Sequence, residues 1–141
     1  MASILKVDAM QGVTSAGDIT VTSEGGSATQ SLQQGLAKAW VNFNGTGTIA
    51  ARDSLNVSGL VDNSAGNYDV NFTNSMSNDD YSAPTVSKLN GSYHGICSIS
   101  AQTTSDLTLF GMTGAPTAAY LGSQYKSDQE IAHCTVHGDL A

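Results

Sequence analysis

This chain has few charged residues, and very few of them are positive. Five Lys and Arg face twelve Asp and Glu, which gives a net charge of −7 over 141 residues. Binding to nucleic-acid phosphates or to an anionic membrane surface requires a basic face, and five dispersed cations do not form one. The sequence therefore predicts no nucleic-acid partner. An acidic surface suits a soluble particle whose copies repel one another.

Long apolar runs are also missing. No segment approaches the roughly 20 apolar residues that a membrane helix needs, and the start, "MASILKVDAM", lacks the apolar core of a signal peptide. We expect no membrane insertion, and we expect the chain to be made in a cytoplasm. The two cysteines, Cys97 and Cys134, are too few for a disulfide framework. We expect both to be reduced, small, buried side chains.

Large apolar side chains are scarce as well. Aromatic residues make up 6% of the chain, with a single Trp, and Leu, Ile, Val and Phe together account for about a fifth of it. That share is near the lower limit for a self-sufficient globular core. A lean chain of this size gains stability by oligomerising, because a small domain alone buries little surface.

Alternating apolar and polar residues dominate what is present. The pattern predicts strands in "NYDVNFTN" (67–74), "GSYHGICSISAQT" (91–103), "DLTLFGM" (106–112) and "QEIAHCTVHGDL" (129–140). Pro84 indicates an edge strand or a bulge. "SLNVSGLV" (54–61) and 67–74 form a predicted hairpin. Six or more short strands at this spacing predict an all-β sandwich or barrel over residues 41–141. Of the two we expect an antiparallel, jelly-roll-like β-sandwich knob.

The first 40 residues read as a thinner module. Residues 3–9 and 17–23 alternate as short strands, within a predicted arm over 1–27. Apolar residues at spacings of three and four over 28–40 predict a short helix, which is marginal in water unless it packs on the following domain or on copies of itself. If it packs on copies, we expect their interface at Leu32, Leu36, Trp40 and Phe43. The alternating segments predict attachment to a partner sheet through Ile4, Leu5, Val7, Ile19 and Val21.

Catalytic and metal-binding patterns are weak. His133 and His137 share a strand face but lie about 13 Å apart along it, so they do not chelate locally. A His near a three-fold axis would appear three times, which leaves His133 or His137 as a candidate for an axial metal. Asp79 and Asp80 are adjacent in a predicted turn, and neither a nucleophile elbow nor a phosphate loop is present. We predict a non-enzymatic protein without a cofactor.

Binding residues are sought among the exposed tyrosines. Tyr120 and Tyr125 lie in the predicted loop "AAYLGSQYKS", where a flat apolar ring with a polar tip suits contact with a receptor. A carbohydrate-binding β-sandwich module is the alternative function, and a small hydrolase a third.

Residues 35–76 resemble a module found in bacteriophage virion fibres, especially small tail-fibre or head-fibre proteins of marine phages. The opening "SILKVDAMQG" and "GDITVTSEGG" resemble the virion-attaching start of such proteins. The residues that carry the resemblance are Lys38-Ala39-Trp40-Val41-Asn42-Phe43, Gly45-Thr46-Gly47-Thr48, Ser54-Leu55-Asn56-Val57-Ser58, Asp62, Gly66-Asn67-Tyr68 and Val70-Asn71-Phe72.

The resemblance implies a homotrimer on the virion surface, with no catalytic residues. Its partners would be its own copies, a capsid or tail protein that holds the N-terminal arm, and a host surface glycan or protein. The sequence leaves tail attachment and capsid decoration both open.

Overall fold

The chain folds as two compact units, Met1–Leu36 and Ala37–Ala141. The computed structural model describes residues 4–14, 19–89, 94–114 and 125–141. Each unit has its own secondary structure, and the two differ sharply in how much side chain they bury. We take them in turn.

The N-terminal unit contains one small hairpin and one helical turn. β1 (Thr20–Thr22) pairs antiparallel with β2 (Thr29–Ser31), and α1 spans Leu32–Gly35. The helix expected over 28–40 is therefore reduced to four residues. The first part of the predicted helical segment pairs with β1 as β2. No side chain caps the helix at Ser31, and Leu36 is already extended with ψ 142°. Residues 4–9, the described part of the strand predicted over 3–9, form none.

The C-terminal unit is an antiparallel β-sandwich, as the alternation predicted. One sheet has the strand order β4-β3-β11-β7, and we call it the first sheet. The second sheet has the order β5-β6-β9-β8, and β10 pairs with the part of β9 beyond β6. The strands are β3 (Ala39–Asn44), β4 (Ala50–Leu55), β5 (Val57–Ser64), β6 (Asn67–Phe72), β7 (Thr85–Lys88), β8 (His94–Gln102), β9 (Asp106–Gly114), β10 (Tyr125–Lys126) and β11 (Ile131–Val136).

Alternation along the central strands builds the core of the sandwich. Every second residue of β3, β6 and β11 is buried, because successive side chains of a strand point to opposite faces of its sheet. Phe43 meets Tyr68 edge to face across the two sheets at 5.2 Å, and Phe72 meets Tyr81 in the same way at 5.9 Å. The buried side chains of these three strands and β9 are Ala39, Val41, Phe43, Tyr68, Val70, Phe72, Leu107, Leu109, Ala132, Cys134 and Val136.

A buried hydroxyl joins three loops at one end of the sandwich. The Tyr68 hydroxyl accepts a hydrogen bond from the Gln129 backbone N–H at 3.0 Å. It also lies 3.3 Å from the carbonyl oxygen of Gly45 and 3.2 Å from the Asp128 carboxylate, to which the Gly66 N–H donates at 2.8 Å. Burial, the main cause, raises the pKa of Tyr68. The hydroxyl therefore stays protonated and holds the loops in register.

The chain crosses from the first sheet to the second at a single residue, Asn56. Its φ of 55° lies in the left-handed region, which Asn tolerates better than most residues. The Asn56 side chain accepts from the Asn74 N–H at 2.7 Å and donates to the Asn74 carbonyl at 3.0 Å. The sequence predicted one continuous strand here, and this corner divides it into β4 and β5.

Replacing Asn56 separates the two roles of this corner. Asn56→Ala loses the side-chain hydrogen bonds and strains the backbone, and we expect it to cost about 1–3 kcal/mol of unfolding free energy. Asn56→Gly loses the same bonds but keeps the conformation, so it should cost less. Urea denaturation of both variants measures the difference. Equal costs would show that backbone strain contributes nothing here.

Candidate assembly surfaces

The N-terminal unit has no core of its own. None of its described residues, 4–14 and 19–36, is buried. A two-stranded hairpin and one helical turn are at best marginally stable in water without packing partners. Its large, exposed apolar side chains are Ile4, Leu5, Val7, Met10, Val13, Val21 and Leu36, whose exposed fractions run from 43% for Val21 to fully exposed for Val13.

An open cleft of about 420 Å³ runs through this unit. We call it the arm cleft. Its lining is mainly apolar, and Asp8 is the single charged residue in it. The residues that line it are Val7, Asp8, Ala9, Met10, Ile19, Leu32, Gln33 and Leu36.

The arm cleft brings together residues for which the sequence predicted two different roles. Val7 and Ile19 were expected to attach the chain to a virion protein, and Leu32 and Leu36 to join its copies, yet all four line the same cleft. Ile4, Leu5 and Val21 do not line it. Met10 was missed as a candidate because it stands outside the alternating pattern of 3–9.

The β1–β2 hairpin adds open strand edges. The strands read "TVT" and "TQS", without charge or proline. Natural proteins usually protect exposed edges with such residues, since an unprotected edge pairs readily with another strand. This hairpin is therefore suited to accepting a strand from a partner.

The outer face of the first sheet carries the chain's Trp. We call it the Trp40 face. Trp40 is half-buried and lies directly opposite Leu55 on β4 and Thr135 on β11. Beside them, Asn42 is opposite His133, which in turn faces Val86 on β7. Leu55 and Val86 are 47% and 62% exposed, so the face is a mixed apolar and polar surface.

Phe43 takes the opposite side of the same strand. Its side chain is fully buried in the core of the sandwich and packs on Tyr68. It therefore has no surface to offer a second copy, and the predicted trimer interface has to do without it. The physical reason is strand alternation: Trp40 and Phe43 are three residues apart, which places them on opposite faces of β3.

His133 and His137 were the candidates for an axial metal. His133 lies on the Trp40 face, and the backbone of His137 pairs with that of Ser82 just beyond β11. Within the described part of the chain, no three His, Cys, Asp or Glu residues come close enough to hold a metal. An axial metal would need several copies of the chain, and it stays a prediction.

Tyr120 and Tyr125 were the residues predicted to contact a receptor. Tyr120 lies outside the described residues, and only the backbone of Tyr125 is described, paired with Thr113 in β10.

The sandwich has a separate cleft of about 240 Å³ between β4 and β5, lined by Ile49, Ala50, Ala51, Ser54, Val57, Ser58, Gly59 and Leu60. No aromatic residue lines this cleft, so a sugar ring would find no stacking platform in it.

Trp40→Ala tests whether the Trp40 face is structural. Because Trp40 is half-buried, we expect a loss of about 1–2 kcal/mol of unfolding free energy, less than the 3–5 kcal/mol typical of a fully buried aromatic. Urea denaturation of the variant, with Val86→Ala from the same face as control, measures it. A loss above about 3 kcal/mol would mean that Trp40 is covered by more than its own sheet.

The described residues contain no helix that is long and apolar enough to cross a membrane. No protein-family model matches this chain, and no curated protein or solved structure matches it either.

Proposed function

We propose that this chain is a non-enzymatic structural protein of a bacteriophage virion. It is a short homotrimeric fibre, held on the particle by its N-terminal unit, with the β-sandwich as an exposed knob for host adhesion or capsid decoration. The observation that supports this most is the contrast between the units. One is a sandwich with a complete core, and the other is a segment with seven large exposed apolar side chains and no buried residue among those described.

That contrast favours an assembly role, because the apolar side chains of the N-terminal unit are still exposed and their burial would still stabilise the protein. Burying apolar surface stabilises by about 25 cal/mol per Å². The sandwich gains this within one chain, whereas the N-terminal unit gains it by packing against another chain. Exposed apolar patches of this kind mark sites of protein association.

Charge does not distinguish the two units. Residues 1–36 contain one Lys and three acidic residues, and residues 37–141 contain four Lys or Arg and nine acidic residues, so the two parts carry net charges of −2 and −5. Relative to their lengths these net charges are nearly equal, so the assembly role of the N-terminal unit rests on its exposed apolar side chains.

The arm cleft is lined by residues from both predicted roles, so we divide the roles between the cleft and the rest of the unit. We assign the cleft, with Leu32 and Leu36, to contact between copies of the chain. Ile4, Leu5 and the open edges of the β1–β2 hairpin remain for the virion protein, by strand addition.

Purified particles provide the test. We expect the full chain to be found on intact virions by immunogold labelling, and a variant lacking residues 1–36 to fold but stay off the particle. Val86→Asp, a charge placed on an exposed part of the sandwich, is the matched control and should incorporate normally. A truncated chain that still incorporates would overturn the assignment of the N-terminal unit, and absence from the particle would overturn the virion role.

A further inference from the structure

The two cysteines lie in different sheets and belong to one core. Cys134 lies on the inner face of β11 in the first sheet and is 2% exposed. Cys97 lies on β8 in the second sheet, is half-buried, and packs against the core cluster that contains Cys134.

Thr85 shows how near the two strands are. It lies directly opposite Cys134 in the β7–β11 ladder, a pairing in which α-carbons are about 4.5–5.5 Å apart. The Thr85 hydroxyl donates to the carbonyl oxygen of Cys97 at 2.7 Å. One residue thus contacts the backbone of Cys97 and borders Cys134, at the edge where β7 and β8 bring the two sheets together.

The ionisation of the thiols agrees with this placement. Burial raises the pKa of Cys97 to about 11. Burial, and secondly the neighbouring Cys97 thiolate, raise the pKa of Cys134 to about 12. The charge of a Cys97 thiolate therefore reaches Cys134, and near neutral pH both thiols stay protonated and slow to react.

We propose that Cys97 and Cys134 form an oxidisable pair that closes into a disulfide between the two sheets when the folded chain meets a small-molecule disulfide. Half-buried Cys97 reacts first: its thiolate attacks one sulfur of the reagent, forms a mixed disulfide and releases one thiolate. The Cys134 thiolate then attacks the Cys97 sulfur and releases the second reagent thiolate. The protein loses two protons and two electrons, and the reagent is reduced to two thiols.

The consequence is a covalent link between β8 and β11 that the chain lacks when it folds in a reducing compartment. A link that closes a long loop restricts the unfolded chain and so stabilises the fold. This inference does not depend on the proposed virion role. It concerns any setting in which the folded protein leaves a reducing environment.

The test treats the full chain with oxidised glutathione at pH 9. We expect the free thiols counted in denaturant to fall from two to none, and peptide mapping to find Cys97 joined to Cys134 within one chain. The melting midpoint should rise by roughly 10 °C, reversibly with a reductant. The rate should increase about tenfold per pH unit between pH 8 and 10, because the thiolate fraction does.

Single variants separate the two steps. Cys134→Ser should stop at a glutathione adduct on Cys97, and Cys97→Ser should leave Cys134 unmodified in the folded chain. Two thiols still free after oxidation, or a disulfide that forms only between chains or only in denaturant, would overturn the proposal. So would a stable glutathione adduct on Cys97 of the unsubstituted chain, since the second thiol would then be out of reach.

Discussion

Replacing Phe43 with Ala is expected to remove about 3–5 kcal/mol of unfolding free energy, the cost typical of truncating a fully buried aromatic side chain. Phe43 has no exposed surface, and its ring packs edge to face on Tyr68 at 5.2 Å. The variant would leave a cavity between the two sheets and would also remove that aromatic contact. Urea denaturation followed by circular dichroism measures the loss.

Two controls give this result its meaning. Trp40→Ala changes the same strand on its outer face and should cost less unfolding free energy. Phe43→Ala should lower the melting midpoint of a chain limited to residues 37–141 by the same amount as that of the full chain. If Phe43→Ala left stability within about 1 kcal/mol and instead abolished self-association, Phe43 would belong to an interface between copies. The core placement would then be contradicted.

Alkaline pH is expected to unfold the sandwich, and to do so at a lower pH than repulsion among its negative charges alone would require. Four buried acids hold their protons more tightly in the folded chain than in the unfolded one. Burial raises the pKa of Cys97 to about 11, that of Cys134 and of Tyr81 to about 12, and that of Tyr68 further. Unfolded thiols titrate near 8.5 and unfolded tyrosines near 10.

The sign follows from proton counting. Between the unfolded and the folded pKa, the folded chain binds more protons than the unfolded chain, so the unfolding free energy decreases as pH rises. Each group contributes up to about 1.4 kcal/mol per pH unit in that window. We expect a level stability up to about pH 8, a decline above pH 9 from the thiols, and a steeper one above pH 10 when the tyrosines join.

Urea midpoints measured from pH 7 to pH 11 in the presence of a reductant test this expectation. A variant with both Cys97→Ala and Cys134→Ala should keep its stability about one pH unit higher before it declines. Tyr81→Phe, which removes the hydroxyl that donates to the Asp106 carbonyl at 3.0 Å, should flatten the part above pH 10. A stability that stays level to pH 11 would show that these groups are not desolvated.

Strand alternation made much of the sandwich predictable. Ala132, Cys134 and Val136 were expected on one face of the closing strand and are buried, and Pro84 was expected at a sheet edge and directly precedes the edge strand β7. The hairpin of β5 and β6 was predicted from its turn residues, and Gly66, which lies in that turn, has a positive φ of 64°. In each case a local signal and the tertiary structure agree.

Other features depended on information that is not local. Leu55 and Val57 share an alternation pattern, yet the left-handed Asn56 places them in different sheets. Leu32 and Leu36 have helical spacing, but Thr29–Ser31 pairs with β1 and shortens the helix to one turn. The arm cleft was not predicted as a single site, because its lining comes from three separate parts of the segment 7–36. No residue pattern in the sequence indicates that these segments line one cleft.

The central claim is that the N-terminal unit joins copies of the chain into a trimer and that the sandwich does not. Multi-angle light scattering of the purified full chain and of residues 37–141 tests it most directly. We predict about 43 kDa for the full chain, three times the 14.5 kDa of one copy, and a folded monomer for residues 37–141. A full chain that stays at 14.5 kDa, or a truncated chain that is still trimeric, would contradict the account.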